Sequence, residues 1–200
     1  MRAGLVVMML LGGPAAAFAQ DSIPAGYGSL RRDDIAIRFR TPQVEIQLLP
    51  MDEQVIRLLA PDTYRSLQAL LRSRAAELAD AARRAAVTAP SVWMVTFLGV
   101  VPAARFTPDD VNITSRGRLF RPVGIVPMSS SWASYQLAAR EQAAALYLFE
   151  DGIGLSEQLT VSYQGQTNDA WRQAVPQLER ERARVAARAR SGEAAEPVRP

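Results

Sequence analysis

Histidine and cysteine are both absent from this chain of 200 residues, and its 23 basic residues are all arginine, with no lysine anywhere. Each absence removes a class of chemistry. Without histidine there is no Ser-His-Asp triad and no Cys-His pair. Without cysteine or histidine the usual ligands of zinc, haem, copper and iron–sulfur clusters are missing. Without lysine there is no phosphate-loop lysine, no Schiff base to pyridoxal phosphate and no Ser-Lys dyad. No disulfide can form either, so the fold rests on its core alone. Arginine without lysine, beside abundant alanine, is what a GC-rich genome produces. The sharper reading is selection for planar, two-pronged recognition of carboxylates or phosphates. A net charge of +3 is too small to argue for a nucleic-acid partner.

Long apolar runs are scarce too. The first one, Ala3 to Leu11 (AGLVVMMLL), follows Arg2 and is broken by Gly12, Gly13 and Pro14. Ala17-Phe18-Ala19 then offers small residues at the positions that signal peptidase reads. This is the secretory pattern, with residues 1–19 as a signal peptide cleaved after Ala19. The run is too short to anchor in a bilayer, and no cysteine follows it to carry a lipid. The expected product is periplasmic or secreted, with no membrane span. Losing Arg2 brings the net charge from +3 to +2. The whole chain is 48% hydrophobic and 22% charged, a globular balance, and what remains after cleavage is long enough for one domain over residues 20–190.

Residues 20–32 are polar and rich in turn formers, and read as a loose mature N-terminus. Ile35, Ile37 and Phe39, then Val44, Ile46 and Leu48, alternate with polar residues as half-buried strands do. Thr41-Pro42 either turns the chain between them or interrupts one long edge strand. Asp52 can cap a short helix, and Pro61 suits the first position of a longer one. Tyr64, Leu67, Leu71, Leu78 and Ala82 share one face of that longer helix, which should stop before Pro90. Ser91 to Val101 is strongly β-forming. Val111–Thr114, Leu119–Val126, Ala143–Phe149 and Leu159–Tyr163 are further strands. Arg116-Gly117, Asp151-Gly152 and Gln164-Gly165 are turn signals. Asn168 or Asp169 can cap a C-terminal helix carrying Trp171, Val175, Leu178 and Val185 on one face, which Pro176 either kinks or restarts. From Arg180 onward this helix reads as exposed, and residues 191–200 as a disordered tail.

Residues 106–126 (FTPDDVNITSRGRLFRPVGIV), 136–149 (QLAAREQAAALYLF) and the closing LTVSY at 159–163 follow a recognisable order: an Asp-rich lead-in, a strand, a glycine turn, an aromatic and a proline, then a late strand ending in Phe. This order is similar to small immunoglobulin-like β-sandwich domains of secreted bacterial proteins. The resemblance covers residues 91–164 and implies an antiparallel sandwich with a binding or structural role. It carries no functional residue over, and the helices on either side are not part of such a domain. The expected fold class is therefore α+β: an antiparallel immunoglobulin-like sandwich, a long helix inserted before its main strands, and an Arg-rich C-terminal helix.

Carboxylates are the chemistry left. Asp33-Asp34, Asp109-Asp110 and Glu150-Asp151 are adjacent pairs, whereas a glycosidase needs two carboxylates facing across a cleft, about 5–9.5 Å apart. Neighbours on a strand point to opposite faces, so Asp109-Asp110 reads as the loop leading into a strand and Glu150-Asp151-Gly152 as a hairpin turn. Ser129-Ser130-Ser131 has no base to activate it, and Gly152-Ile153-Gly154 lacks a third glycine. Trp93 and Trp171 read as core; Trp132, in a Ser-rich loop, reads as the tryptophan open to a partner. Residues 172–190 hold Arg172, Arg180, Arg182, Arg184, Arg188 and Arg190 against Glu179 and Glu181, a local charge of +4 that suits an acidic partner or an anionic membrane surface. The sequence thus predicts no enzyme, no catalytic, metal or cofactor residue, and a non-catalytic exported module of the bacterial cell envelope with a protein partner. The alternative is a carboxylate-dependent hydrolase of envelope glycans. A third option, a carrier of a small apolar ligand, requires a cavity between helix and sheet.

Overall fold

The computed structural model describes residues 23–191. The signal peptide expected at 1–19 lies outside them, as does the tail expected at 191–200 apart from Ser191, which ends the C-terminal helix. The chain is α+β, with antiparallel sheets and a C-terminal helix.

Strands β1 (Ile37–Arg40) and β2 (Val44–Pro50) form a hairpin. Thr41 makes its turn, because the Thr41 Oγ1 both donates to the Val44 carbonyl and accepts from the Val44 N–H, each at 3.0 Å. A short helix α2 (Glu53–Ile56) follows, capped by Asp52 Oδ1, which accepts from the Gln54 N–H at 2.8 Å. It comes after α1 (Arg32–Ile35), which precedes β1.

The long helix predicted before Pro90 is two helices, α3 (Pro61–Ser73) and α4 (Ala75–Arg84), broken at Arg74. The apolar spacing runs through the break, so periodicity alone could not reveal it. Ala86 ends α4 in the left-handed region at φ +55°, and the Val87 N–H and Ala86 N–H close back on the Ala82 and Arg83 carbonyls. The pair follows β2 and precedes β3 (Ser91–Gly99) and the later strands, and β2 pairs directly with β3 across it.

Nine further elements complete the fold. They are β4 (Ala104–Arg105), β5 (Asn112–Ser115), β6 (Arg118–Phe120), β7 (Gly124–Pro127), β8 (Gln136–Leu137), β9 (Gln142–Phe149), β10 (Leu159–Tyr163), β11 (Gln166–Asn168) and the helix α5 (Trp171–Ser191). One sheet runs β1-β2-β3-β9-β7, a second runs β11-β10-β5-β6, and β4 pairs with β8. The run Leu119–Val126, expected as one strand, is split between the two larger sheets, with Pro122 in the connection. Glu150-Asp151-Gly152 is likewise no hairpin turn, because β9 and β10 belong to different sheets and this segment carries the chain between them. Two-residue turns with both φ positive, Arg116-Gly117 and Gln164-Gly165, make the β5–β6 and β10–β11 hairpins.

On β3, Trp93, Val95 and Phe97 are buried while Met94, Thr96 and Leu98 are half-buried, the alternation of a strand with one face on a core. Helix α4 covers the other face beside β7 and β9; a Cβ built on Gly124 would lie 3.3 Å from the Ala81 methyl. Aromatic rings bridge the first sheet to the second and to α5. Phe97 lies 5.8 Å from Tyr163, and Trp93 lies 6.2 Å from Trp171. On β9, Ala143 sits opposite Phe97 and Ala145 opposite Val95, so the alanines that weaken the strand signal leave room for larger rings.

Candidate interaction surface

The stretch expected to be loose is a strap. Residues 23–31 run between the α2–α3 region and α5 and are held on both sides. The Leu30 N–H donates to the Leu58 carbonyl at 3.1 Å, and the Ala60 N–H donates to the Leu30 carbonyl at 2.9 Å. Gly28 passes so close that a Cβ there would sit 2.3 Å from the Leu58 carbonyl atoms. Arg57 Nη1 donates to the Ile23 carbonyl at 2.8 Å. Arg57 also donates through Nε to Glu53 Oε1 at 2.6 Å, where Tyr64 Oη donates as well at 2.7 Å. Burial alone would push the Glu53 carboxyl up, but hydrogen bonds from Arg57, Tyr64 and Gln68 outweigh it and hold the group below the usual carboxylate range. Tyr64 moves the other way, upward, because of burial and the Glu53 charge beside it.

The α5 side of the strap is held by a buried carboxylate. Glu181 is 1% exposed, although the sequence predicts a solvated helix from Arg180 onward. Its Oε1 accepts from the Ser29 N–H at 2.8 Å and from the Ser29 hydroxyl at 2.7 Å. Arg188 Nη1 reaches the same oxygen at 3.1 Å and the Tyr27 carbonyl at 2.6 Å. Trp171, Leu178 and Val185 are buried on the same side of α5, and Trp171 Nε1 donates to the Leu155 carbonyl at 3.1 Å. Pro176 lies inside a continuous helix, so of the two expected alternatives, a kink or a restart, the restart is excluded.

The face of α5 beside this buried stripe is open. With the strap it forms a groove of about 660 Å³ lined by Ile23, Pro24, Arg182, Ala183, Ala186 and Arg190 among others. Glu179 lines it as well and is hydrogen-bonded by Arg182.

Trp132 is not open to a partner: it is 5% exposed. Its ring meets Phe106 at 5.3 Å, Phe97 at 5.8 Å and Tyr147 at 6.0 Å, because the Ser-rich turn folds it under β9. Tyr135 is the exposed aromatic there, 52% accessible and held at φ +50° against the Phe106 edge. It borders a groove of about 350 Å³ with Pro108, Asp109, Pro122 and Pro127. Burial pushes the Tyr147 hydroxyl up, and the Asp109 charge adds to this; that hydroxyl donates to the Pro108 carbonyl at 3.1 Å. Burial pushes Tyr163 up too, opposed by the Thr107 N–H that it accepts.

The carboxylate pairs serve the fold. Asp34 Oδ2 accepts from the Arg31 N–H at 2.7 Å, and Asp33 pairs with Arg38 at 2.5 Å. Glu150 pairs with Arg118, and Asp151 Oδ1 accepts from the Gly152 N–H at 2.7 Å. Asp109 and Asp110 lie in the 3-10 turn Pro108–Asp110 before β5. The groove beside α1 holds Asp33 and Asp34, the Tyr135 groove holds Asp109 and the α5 groove holds Glu179; none of these three joins carboxylates that are not neighbours in sequence. Among the described residues no group of three or more Asp or Glu gathers as a metal site, and no helix is long and apolar enough to cross a membrane. No protein-family model, curated protein or solved structure matches the chain.

Proposed function

We propose that the chain is a non-catalytic interaction module of the bacterial cell envelope, exported to the periplasm or beyond, which holds a protein partner on the outer face of α5. The observation that carries this reading is the groove between α5 and the strap. It is large, its floor is small apolar side chains, and Arg182 and Arg190 stand in it as cations. An apolar centre with arginine at its rim is the layout of a protein contact surface. The strap gives the groove a fixed wall, because Ser29 and Tyr27 are tied to α5 itself. The export element rests on the Arg2-to-Ala19 pattern. The immunoglobulin-like character of the two larger sheets belongs to the same proposal, supported by their antiparallel pairing and the Phe97–Tyr163 contact between them.

Deleting α5 is a poor test, since Trp171, Leu178 and Val185 belong to the core. A substitution on the open face separates contact from folding. The mature chain and an Ala183→Glu variant with the same circular dichroism are cross-linked in envelope extract. A partner captured by the first and lost with the second supports the reading; equal capture by both removes α5 from it.

A further inference from the structure

We propose that the occupant of the α5 groove is a second copy of this chain, docked antiparallel about a two-fold axis; the proposal rests on reading α5 as a contact surface. Glu179, Ala183, Ala186 and Arg190 follow one another at steps of four, three and four and so share one helix face, with Arg182 at its edge. The face carries the Glu179 carboxylate, which Arg182 hydrogen-bonds and which keeps a second oxygen for a partner, at one end and the Arg190 guanidinium at the other, about 16 Å apart along the axis. An axis through the midpoint between Arg184 and Val185 sets Glu179 against the second copy's Arg190, and Arg190 against its Glu179. The same operation sets Ala183 against Ala186 twice. A two-fold contact demands this self-complementarity, in which each residue meets its counterpart's mate.

The charges also choose the polarity. A parallel pair would put Glu179 against Glu179 and Arg190 against Arg190, and like charges across an interface select against that arrangement. Arg190 is ready for an external carboxylate: among the described residues it forms no ion pair, and its Nε donates to the Ala186 carbonyl at 3.1 Å. At the centre the methyl groups of Ala183 and Ala186 let two backbones approach closely. Ile23 and Pro24 of each strap then flank the incoming helix. An interface of one helix and one strap per copy is small, so the dimer is weak and depends on concentration.

The test is sedimentation equilibrium of the mature chain over a wide concentration range, with two single charge reversals. The native chain should shift from monomer toward dimer mass. Glu179→Arg and Arg190→Glu should each lower the association constant by about tenfold or more, since both symmetric pairs become repulsive. An equimolar mixture of the two variants should recover association, because each mixed pair again joins Glu to Arg. Both side chains are exposed, so matched melting curves exclude a folding defect. A native chain that is monomeric at every concentration overturns the proposal, as does a dimer indifferent to both reversals. A dimer that appears only after residues 192–200 are removed assigns the groove to that tail and also overturns it. If the chain stays monomeric while Ala183→Glu still abolishes capture of another protein, the second copy is excluded and the wider interaction reading stands.

Discussion

Glu181 offers the sharpest single test of how the strap is held. Replacing it by alanine removes the acceptor for the Ser29 N–H, the Ser29 hydroxyl and Arg188 together. Hydrogen bonds to an ionised group contribute about 1.5–3 kcal/mol each net of water, and breaking a buried ion pair by deleting one partner costs about 3–5 kcal/mol. Arg188 retains 28% of its side-chain exposure and keeps its bond to the Tyr27 carbonyl, so water can take over part of the loss. The expected cost of Glu181→Ala is about 3 kcal/mol, a fall in Tm of roughly 6–12 °C for a domain of this size. Glu181→Gln keeps an acceptor for Ser29 and loses the negative charge facing Arg188 and the exposed Arg184, so it should cost about half as much. Thermal melts give the magnitude, and hydrogen exchange gives the place: protection should fall over residues 23–31 before it falls in β3 or β9. A solvated Glu181 would predict a change within about 0.5 kcal/mol. A Tm for Glu181→Ala within 1–2 °C of native, roughly that small cost, with an unaltered strap would refute the buried-staple account.

Other perturbations follow from the same geometry. Ala86→Gly relieves a left-handed alanine at the end of α4 and should stabilise the protein by about 1 kcal/mol, read as a higher denaturation midpoint. Trp132→Ala should cost about 3–5 kcal/mol, as for a core aromatic, whereas Tyr135→Ala beside it should cost far less; equal effects in urea unfolding would contradict the packing. Glu53 has a folded pKa below its unfolded value of 4.5, so its contribution is fully present above that value and is lost as pH falls through the folded pKa. The Tm gap between the native chain and Glu53→Gln, measured from pH 7 to pH 3, should therefore narrow below about pH 4.5.

Most of the β-strands were legible because their signals are local. The alternation over Ile35–Phe39 and Val44–Leu48, the Arg116-Gly117 turn and the apolar run at 91–101 each mark one element, although Ile35 itself ends α1 and β3 stops at Gly99. Which strands share a sheet was not legible. β1 and β2 join β3 across the α3–α4 pair, and β6 and β7 part company around Pro122. These are pairings at long separation, decided by the packing of aromatic faces rather than by any residue near the junction. Trp132 was misplaced for the same reason. Serines around it announce a turn, but only the rings of Phe97, Phe106 and Tyr147, brought from three separate segments, decide that the turn folds inward.

The buried carboxylate on α5 was legible in principle, and composition hid it. Ala174, Leu178, Glu181 and Val185 follow one another at steps of four, three and four, which is the buried stripe of this helix. Glu181 therefore occupies a core position in the pattern, flanked on the stripe by Leu178 and Val185. A charged residue there must find donors or leave the interior, because an isolated buried charge costs far more than a helix can supply. Arg188, one turn beyond Val185 on the same side, supplies one donor and is visible in the sequence. The other donor is Ser29, far away in the chain, in a segment whose polar residues looked like an untethered terminus. A glutamate on an apolar stripe thus predicts that some distant polar segment comes to meet it. The composition of the groove then follows by elimination: with Glu181 and Arg188 turned inward to the strap, Glu179 and Arg190 are left at its two ends.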